Sequence, residues 1–159
     1  MTGLALRDLG GTRLGRRTVD AILYSLPLWR AVLKEKETRI TAEFLPVPVR
    51  GGGGKGPVEV LALRRVIVER VLDLCDRQLA VLPRELRRVH RLRYVDRLSN
   101  QTIARRIHYS VRTVYRWVDE IRRCVTIALL TLERTELALF CREVAALTAC
   151  GERLPPDKD

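Results

Sequence analysis

Residues 57–82, PVEVLALRRVIVERVLDLCDRQLAVL, place apolar side chains in two neighbouring series with helical spacing. Residues three, four or seven apart line one face of an α-helix, and two adjacent series make that face wide. The series are Val60, Leu63, Ile67, Val71 and Leu74, and Leu61, Val68, Leu72, Cys75, Leu79 and Leu82. A helix with so wide an apolar face is packed by more than one neighbour. We therefore predict an all-α fold, a helical bundle with residues 57–82 at its centre.

Proline and glycine residues indicate the division of the chain into segments. We predict a flexible tail over residues 1–16, an N-terminal helical arm over 17–43, a linker over 44–56, a helical domain over 57–150 and a second tail over 151–159. The linker contains two prolines and four consecutive glycines. Pro27 lies inside the apolar stripe of the arm, and Ser25 is a suitable capping residue. Because proline disrupts a helix interior, we expect two short helices there.

Residues 83–95, PRELRRVHRLRYV, continue the helical pattern after Pro83. The period predicts one buried face and one arginine-rich exposed face. The residues expected to be buried are Leu86, Val89, Leu92 and Val95, and those expected to be exposed are Arg84, Arg87, Arg88, Arg91 and Arg93.

Residues 99–118, SNQTIARRIHYSVRTVYRWV, have the pattern of a helix-turn-helix. Ser99 and Asn100 can start the first helix, and Ser110 can cap the second. The predicted buried residues are Ile103, Ala104 and Ile107 in the first helix, and Val111, Val114, Trp117 and Val118 in the second. His108 and Tyr109 interrupt the two. Ala104 is the most diagnostic position, because the helices cross there almost in contact.

The same period turns Arg112, Thr113, Tyr115, Arg116 and Asp119 outward, where a recognition helix reaches the major groove. Arginines one turn apart suit guanine edges or phosphates, and a threonine suits a thymine methyl or a phosphate. Residues at the start of the first helix suit the DNA backbone. The predicted DNA-binding residues are Gln101, Thr102, Arg105, Arg106, Tyr109, Ser110, Arg112, Thr113, Tyr115 and Arg116.

The charge distribution supports double-stranded DNA as the partner. The chain carries a net charge of +11, and residues 83–123 contain 12 arginines and 4 acidic residues, a net charge of +8. A concentrated positive field favours a polyanion and releases counterions from nucleic acid. The alternative is a helical hairpin of the core whose arginine face is merely solvated.

Other residues give little support for catalysis or for a bound metal or cofactor. The four cysteines fit no zinc-binding spacing, and we interpret them as reduced core residues. His90 and His108 are expected to serve in packing or at the surface. The GGGGKG run at residues 51–56 lacks the spacing of a phosphate-binding loop. We predict no enzyme activity, no cofactor and no membrane span, and a cytoplasmic location.

Two resemblances to known families follow from these residues. LPRELRRVHRLRYVDRLSNQTIARRI resembles the final helix-turn-helix region of bacterial sigma factors, and IHYSVRTVYRWVDEI resembles phage transcriptional regulators of the RinA and ArpU type. The match covers residues 82 to about 123. Sigma-type sequences usually have glycine at the position of His108. They also often have glycine at the position of Arg97, and this second difference leaves the entry angle of the first motif helix open. The resemblance implies activation of late phage genes without catalysis.

Helical periodicity continues from Ile121 through Leu132 and resumes at Leu137 through Leu147, with a break expected between Glu133 and Glu136. Gly151 and the following prolines end this helix. Its apolar face either packs back on the long helix of residues 57–82 or pairs with a second subunit. We favour pairing into a homodimer, because two-fold symmetry adds affinity and half-site spacing.

The sequence predicts a DNA-binding transcription regulator and leaves three alternatives open. A small terminase subunit would recognise a packaging site and form a ring. A sigma-like factor would act together with RNA polymerase. A recombinase or transposase fragment would need a catalytic serine, tyrosine or carboxylate cluster, whereas the acidic residues here are scattered over helix surfaces.

Overall fold

The computed structural model describes residues 14–38 and 57–149, and all regular elements in these ranges are helical. The helices are α1 Arg16–Thr38, α2 Pro57–Ala80, α3 Arg84–His90, α4 Asn100–Ile107, α5 Val111–Leu129 and α6 Arg134–Ala149. One π-helical turn, Arg91–Val95, extends α3. The all-α prediction is confirmed. The predicted linker at 44–56 and the tail at 151–159 lie outside the described residues, as do residues 1–13 of the other predicted tail.

Helix α1 is one continuous helix, so the prediction of two short helices is wrong. Pro27 lies inside it, and Ser25 does not cap a second helix, because its hydroxyl donates to the carbonyl of Ile22 at 2.8 Å. An interior proline costs about 3 kcal/mol. Leu23, Leu26 and Trp29 are fully buried on both sides of the proline, and each buried side chain contributes roughly 1.5–3 kcal/mol. Tertiary packing therefore outweighs the local preference for a break.

The segment predicted as an N-terminal arm packs into the same core as residues 57–149. Helix α1 contacts α2, α5, α6 and the π-helical turn, and its side chains are buried around most of its circumference from Val19 to Leu26. This packing places α1 against the second half of the predicted recognition helix.

Helix α2 forms the centre of the bundle, as the sequence predicts. It packs against α1, α5 and α6, and Val71 and Cys75 are completely buried in it. Helix α6 lies antiparallel to it, because Arg64 pairs with Glu143 at 2.5 Å and Arg70 pairs with Glu136 at 2.7 Å. A break before α6 is present as predicted, but it lies at residues 130–133 rather than between Glu133 and Glu136, because α5 ends at Leu129 and α6 begins at Arg134. The apolar face of α6 packs back on α1 and α2 within the chain, so the favoured prediction that this face pairs with a second subunit is wrong.

The π-helical turn changes which residues of 83–95 are buried. Leu86, Val89 and Leu92 are buried as predicted, but Arg93 is only 8% exposed and Val95 is 44% exposed. The assignments of Arg93 and Val95 are therefore wrong. The amide of Asp96 donates to the carbonyl of Arg91 at 2.9 Å, a five-residue hydrogen bond that inserts one extra residue in the turn. The inserted residue rotates Tyr94 into the core, where it is completely buried.

Candidate nucleic-acid interface

Both helices of the predicted motif begin with the same serine cap. The Ser99 hydroxyl accepts from the Thr102 amide at 3.2 Å, and the Ser110 hydroxyl accepts from the Thr113 amide at 3.1 Å. Each cap satisfies one of the free amides at a helix start. The hydroxyl groups of the two threonines also hydrogen-bond to these serines, at 2.9 and 2.8 Å. Both threonines are half-buried, and their hydroxyl groups are parts of the caps.

The turn between α4 and α5 depends on a left-handed residue. His108 has φ 59°, and the amide of Tyr109 after it donates to the Ala104 carbonyl at 3.1 Å, which ends α4. Arg97, before α4, has φ 56°. Only glycine adopts this conformation without steric cost, which explains why glycine suits both positions. Both positions are left-handed in this structure although arginine and histidine, and not glycine, occupy them.

The inner face of the motif is packed as the sequence predicts. Ile103, Ala104, Ile107, Val114 and Val118 are buried, and Val111 and Trp117 are half-buried. Ala104 is 3% exposed between α4 and α5, which pack directly against each other. The rings of Tyr109 and Trp117 meet edge to face, with centroids 4.8 Å apart, so the exposed Tyr109 covers one side of the tryptophan.

The outer face contains the predicted DNA-binding residues with different degrees of exposure. Arg112 and Arg116 are exposed on α5, and Gln101, Arg105 and Arg106 are exposed on α4. Tyr115 is half-buried, because it lies towards one side of α5 rather than at the centre of the outer face. The arginines of both motif helices are therefore exposed at the surface near the turn that joins α4 and α5.

Arginines with and without acidic partners lie in different parts of the structure. Arg122 and Arg123, in the second half of α5, pair with Asp119 and Glu120 at 2.9 and 2.6 Å. Within residues 14–38 and 57–149, no carboxylate pairs with the exposed arginines of α3, α4 and the first half of α5. These are Arg84, Arg87, Arg88, Arg105, Arg106, Arg112 and Arg116. The uncompensated charge is therefore concentrated at the helix-turn-helix and on α3.

A largely buried polar cluster, not predicted from the sequence, holds the second half of α5 against α1 and the π-helical turn. Asp20 of α1 accepts from the Tyr94 hydroxyl at 2.8 Å and from two nitrogens of Arg122 at 2.8 and 2.7 Å. Arg122 donates to Asp119 at 2.9 Å as well. We call Asp20, Tyr94 and Arg122 the Asp20 cluster. It joins α1, the π-helical turn and α5.

The ionisation of the Asp20 cluster follows from its burial and its charges. Burial raises the pKa of the Tyr94 phenol, and the Asp20 charge raises it further, so the phenol remains a hydrogen-bond donor. Burial lowers the pKa of Arg122, but its hydrogen bonds and the charges around it outweigh this and raise the pKa above its ordinary value. Asp20 stands alone among apolar neighbours in α1, which is the one sequence signal for such a site.

The histidines and cysteines occupy structural positions. His90 packs on the Tyr94 ring with centroids 5.4 Å apart, and His108 is exposed in the motif turn. Cys75, Cys124 and Cys141 are free thiols, and burial raises the pKa of Cys75 to about 12 and that of Cys141 to about 11. The described residues contain no group of three or more potential metal ligands. Cys150 lies outside the described residues.

The capped helices, the left-handed turn and the small residue at the crossing define a helix-turn-helix. Residues 72–125 match the family model of Sigma-70, region 4. The match runs from the middle of α2 into α5 and covers less than half of the chain, with α1 and α6 outside it. It confirms the predicted likeness to the helix-turn-helix of sigma factors. The comparisons found no match among curated proteins or solved structures. None of the described helices is long and apolar enough to cross a membrane.

Proposed function

We propose that this protein is a sequence-specific regulator of transcription that inserts the first half of α5 into the major groove of double-stranded DNA. The observation that carries the proposal is the position of Arg112 and Arg116. Both are exposed one turn apart on the outer face of α5, and neither has an acidic partner among the described residues. Such side chains are available for bidentate contacts with guanine.

The first motif helix supplies the contacts that position the protein on the DNA. Gln101, Arg105 and Arg106 are exposed on α4 and suit phosphate oxygens. At the turn, Tyr109 and Ser110 lie beside the start of α5. These contacts set the register, and the α5 arginines supply the sequence preference.

The biological role that we propose is activation of late or packaging genes of a phage in the cytoplasm of its bacterial host, without catalysis. The resemblance of IHYSVRTVYRWVDEI to RinA and ArpU regulators is read from the sequence alone and is the basis for this role. The Sigma-70 region 4 match supports contact with RNA polymerase. A pull-down with purified polymerase tests that contact. Retention of the protein on polymerase without promoter DNA would favour the sigma-like alternative.

We propose that the protein binds DNA as a homodimer. Helix α6 uses its apolar face inside the chain, but Ile127 and Leu130 near the end of α5 are exposed apolar residues and provide an alternative surface for pairing. Light scattering that gives a dimer would support this arrangement. A ring of eight or more subunits would instead favour the small terminase subunit.

The binding proposal is tested by selecting bound sequences from a random oligonucleotide pool and then measuring the affinity of variants. Arg112→Ala and Arg116→Ala should each cost about 1–3 kcal/mol on the selected sequence and relax the preference at one position. Arg142→Ala removes an exposed arginine of α6 and serves as the matched control. An equal loss on all sequences would reassign the arginine to a phosphate, and a pool without enrichment would overturn the proposal.

A further inference from the structure

The first turn of α1 lies beside the helix that we propose to read DNA. Its start is fixed: the carbonyl of Gly15 accepts from the amides of Thr18 and Val19 at 3.0 and 3.1 Å, and Leu14 packs against the core. Arg16 and Arg17 project from this fixed turn into solvent, and the Arg16 side chain is 80% exposed. Two cations are therefore held at a defined place on the surface.

Two contacts give the direction of α1 relative to α5. Asp20 pairs with Arg122 at 2.7 Å, and one turn earlier in α1 the Arg16 guanidinium lies 4.0 Å from Asp119. Moving back along α1 therefore moves back along α5, so the two helices run in the same direction at this contact. The beginning of α1 points towards the end of α5 that carries Arg112 and Arg116.

The charges around Asp119 leave Arg16 available for another anion. Asp119 lies on the outer face of α5, in line with Arg112 and Arg116, and one of its oxygens accepts from Arg122 at 2.9 Å. Arg122 is shared between Asp119 and Asp20, so its single charge does not neutralise both carboxylates. Arg16 reaches only the other oxygen, at 4.0 Å, and Arg17 has no acidic partner among the described residues. Arg17 therefore adds positive charge next to the reading surface, and Arg16, which is 80% exposed and lies at the 4.0 Å limit of an ion pair, can turn from Asp119 to another anion.

We propose that Arg16 and Arg17 form a second DNA contact, which binds the phosphates flanking the groove occupied by α5. This inference rests on the proposed function and extends the interface beyond the region of the Sigma-70 match, since α1 lies outside residues 72–125. Contacts to phosphate carry no sequence information, so the first turn of α1 adds affinity and orientation, not sequence preference. The Asp20 cluster holds this turn in position.

The test removes both charges in the full-length chain with Arg16→Ala and Arg17→Ala together. Each phosphate contact contributes about 0.9 to the slope of log affinity against log salt, so the slope should fall by about 2 and the affinity by about tenfold at moderate salt. The loss should be equal on selected and unrelated DNA. Ethylation of phosphates should interfere with parent binding at flanking positions and should no longer interfere there with the variant.

A charge-matched control separates a local contact from a change in net charge. Lys34, exposed near the other end of α1, and Arg142, exposed on α6, are replaced together by alanine. The control should keep the salt slope of the parent within about half a unit, since it removes no phosphate contact. Equal losses in the control and the test variant would overturn the inference and leave a general effect of charge.

The outcomes distinguish this inference from the proposed function. If Arg116→Ala weakens binding but the Arg16 and Arg17 variant binds like the parent, the second contact is wrong and the reading helix stands. If the parent selects no DNA sequence, the proposed function fails, and the second contact fails with it. Because both arginines are exposed, the variant should unfold at the same urea concentration as the parent, which shows that a loss of binding is not a loss of fold.

Discussion

The Tyr94 hydroxyl donates a hydrogen bond to the Asp20 carboxylate at 2.8 Å, between residues 74 positions apart in the chain. Asp20 also accepts two hydrogen bonds from Arg122, and the side chains of Asp20 and Arg122 are only 13% and 16% exposed. One carboxylate thus satisfies donors from two other parts of the fold. The N-terminal helix and the proposed reading helix are joined by charge as well as by apolar packing.

Replacing Asp20 by alanine should strongly destabilise the protein. The change leaves the Arg122 guanidinium and the Tyr94 hydroxyl partly buried with one acceptor fewer, and removing one member of a buried ion pair costs about 3–5 kcal/mol. Urea unfolding gives the measurement. Asp73→Ala, which removes the exposed partner of Arg77, is the control and should cost less than about 1 kcal/mol. A cost for Asp20→Ala as small as that of the control would show that the cluster contributes little.

Replacing Ala104 by leucine should disturb the crossing of α4 and α5. The position is 3% exposed, so the added atoms have no space, and overpacking costs about 1–3 kcal/mol. Thermal unfolding should show a lower midpoint for this variant. Ala31→Leu, at an exposed position of α1, is the matched control and should unfold like the parent. An unchanged midpoint for Ala104→Leu would contradict the close packing of the two motif helices.

Replacing His108 by glycine should stabilise the protein. A left-handed conformation costs a residue with a side chain about 1–2 kcal/mol, and glycine loses part of this advantage through its greater freedom in the unfolded chain. The net gain should be about 0.5–1 kcal/mol in urea unfolding. His108→Val should destabilise instead, because a β-branched side chain is least compatible with positive φ. A glycine variant less stable than the parent would indicate that the imidazole makes a stabilising contact.

His90 should make stability depend on pH on the acidic side. Burial, assisted by the charge of Arg30 and opposed by that of Asp76, lowers its pKa from 6.5 to about 4. The unfolded chain therefore binds a proton between these values while the folded chain does not, so stability falls as pH decreases from about 6.5 to 4. The loss attributable to this group is about 3 kcal/mol.

His90→Leu removes this group, and the comparison with the parent across pH isolates its effect. Urea unfolding at several pH values should show the variant losing less stability than the parent between pH 6.5 and 4, the interval set by the two pKa values. Above this interval the difference between the two proteins should be constant. Parallel curves over the whole range would show that His90 does not titrate with the fold.

Local signals in the sequence were sufficient to predict the helix-turn-helix. Ser99 and Ser110 cap helices through their own side chains, and the alternation around Ala104 depends only on residues a few positions apart. The same holds for the break before α6, since the apolar period itself shifts there. Such features depend on neighbouring residues, which a single sequence displays directly.

The features that the sequence did not reveal depend on contacts between distant residues. Pro27 is accommodated because α1 is enclosed by other helices, and a helical period read along α1 alone still predicts a break. The π-helical turn moves Tyr94 inward, where its hydroxyl reaches Asp20, and no periodic pattern within residues 83–95 predicts the inserted residue. The position of α1 beside α5 follows from these contacts and could not be predicted either.

The shared direction of α1 and α5 has a mechanical consequence. Because Asp20 pairs with Arg122 in the middle of α5 and Arg16 lies 4.0 Å from Asp119, one turn closer to the start of α5, a displacement of the first turn of α1 acts on α5 at two neighbouring points. We expect a partner that pulled on the first turn of α1 to tilt the first half of α5, which carries Arg112 and Arg116, through these two contacts.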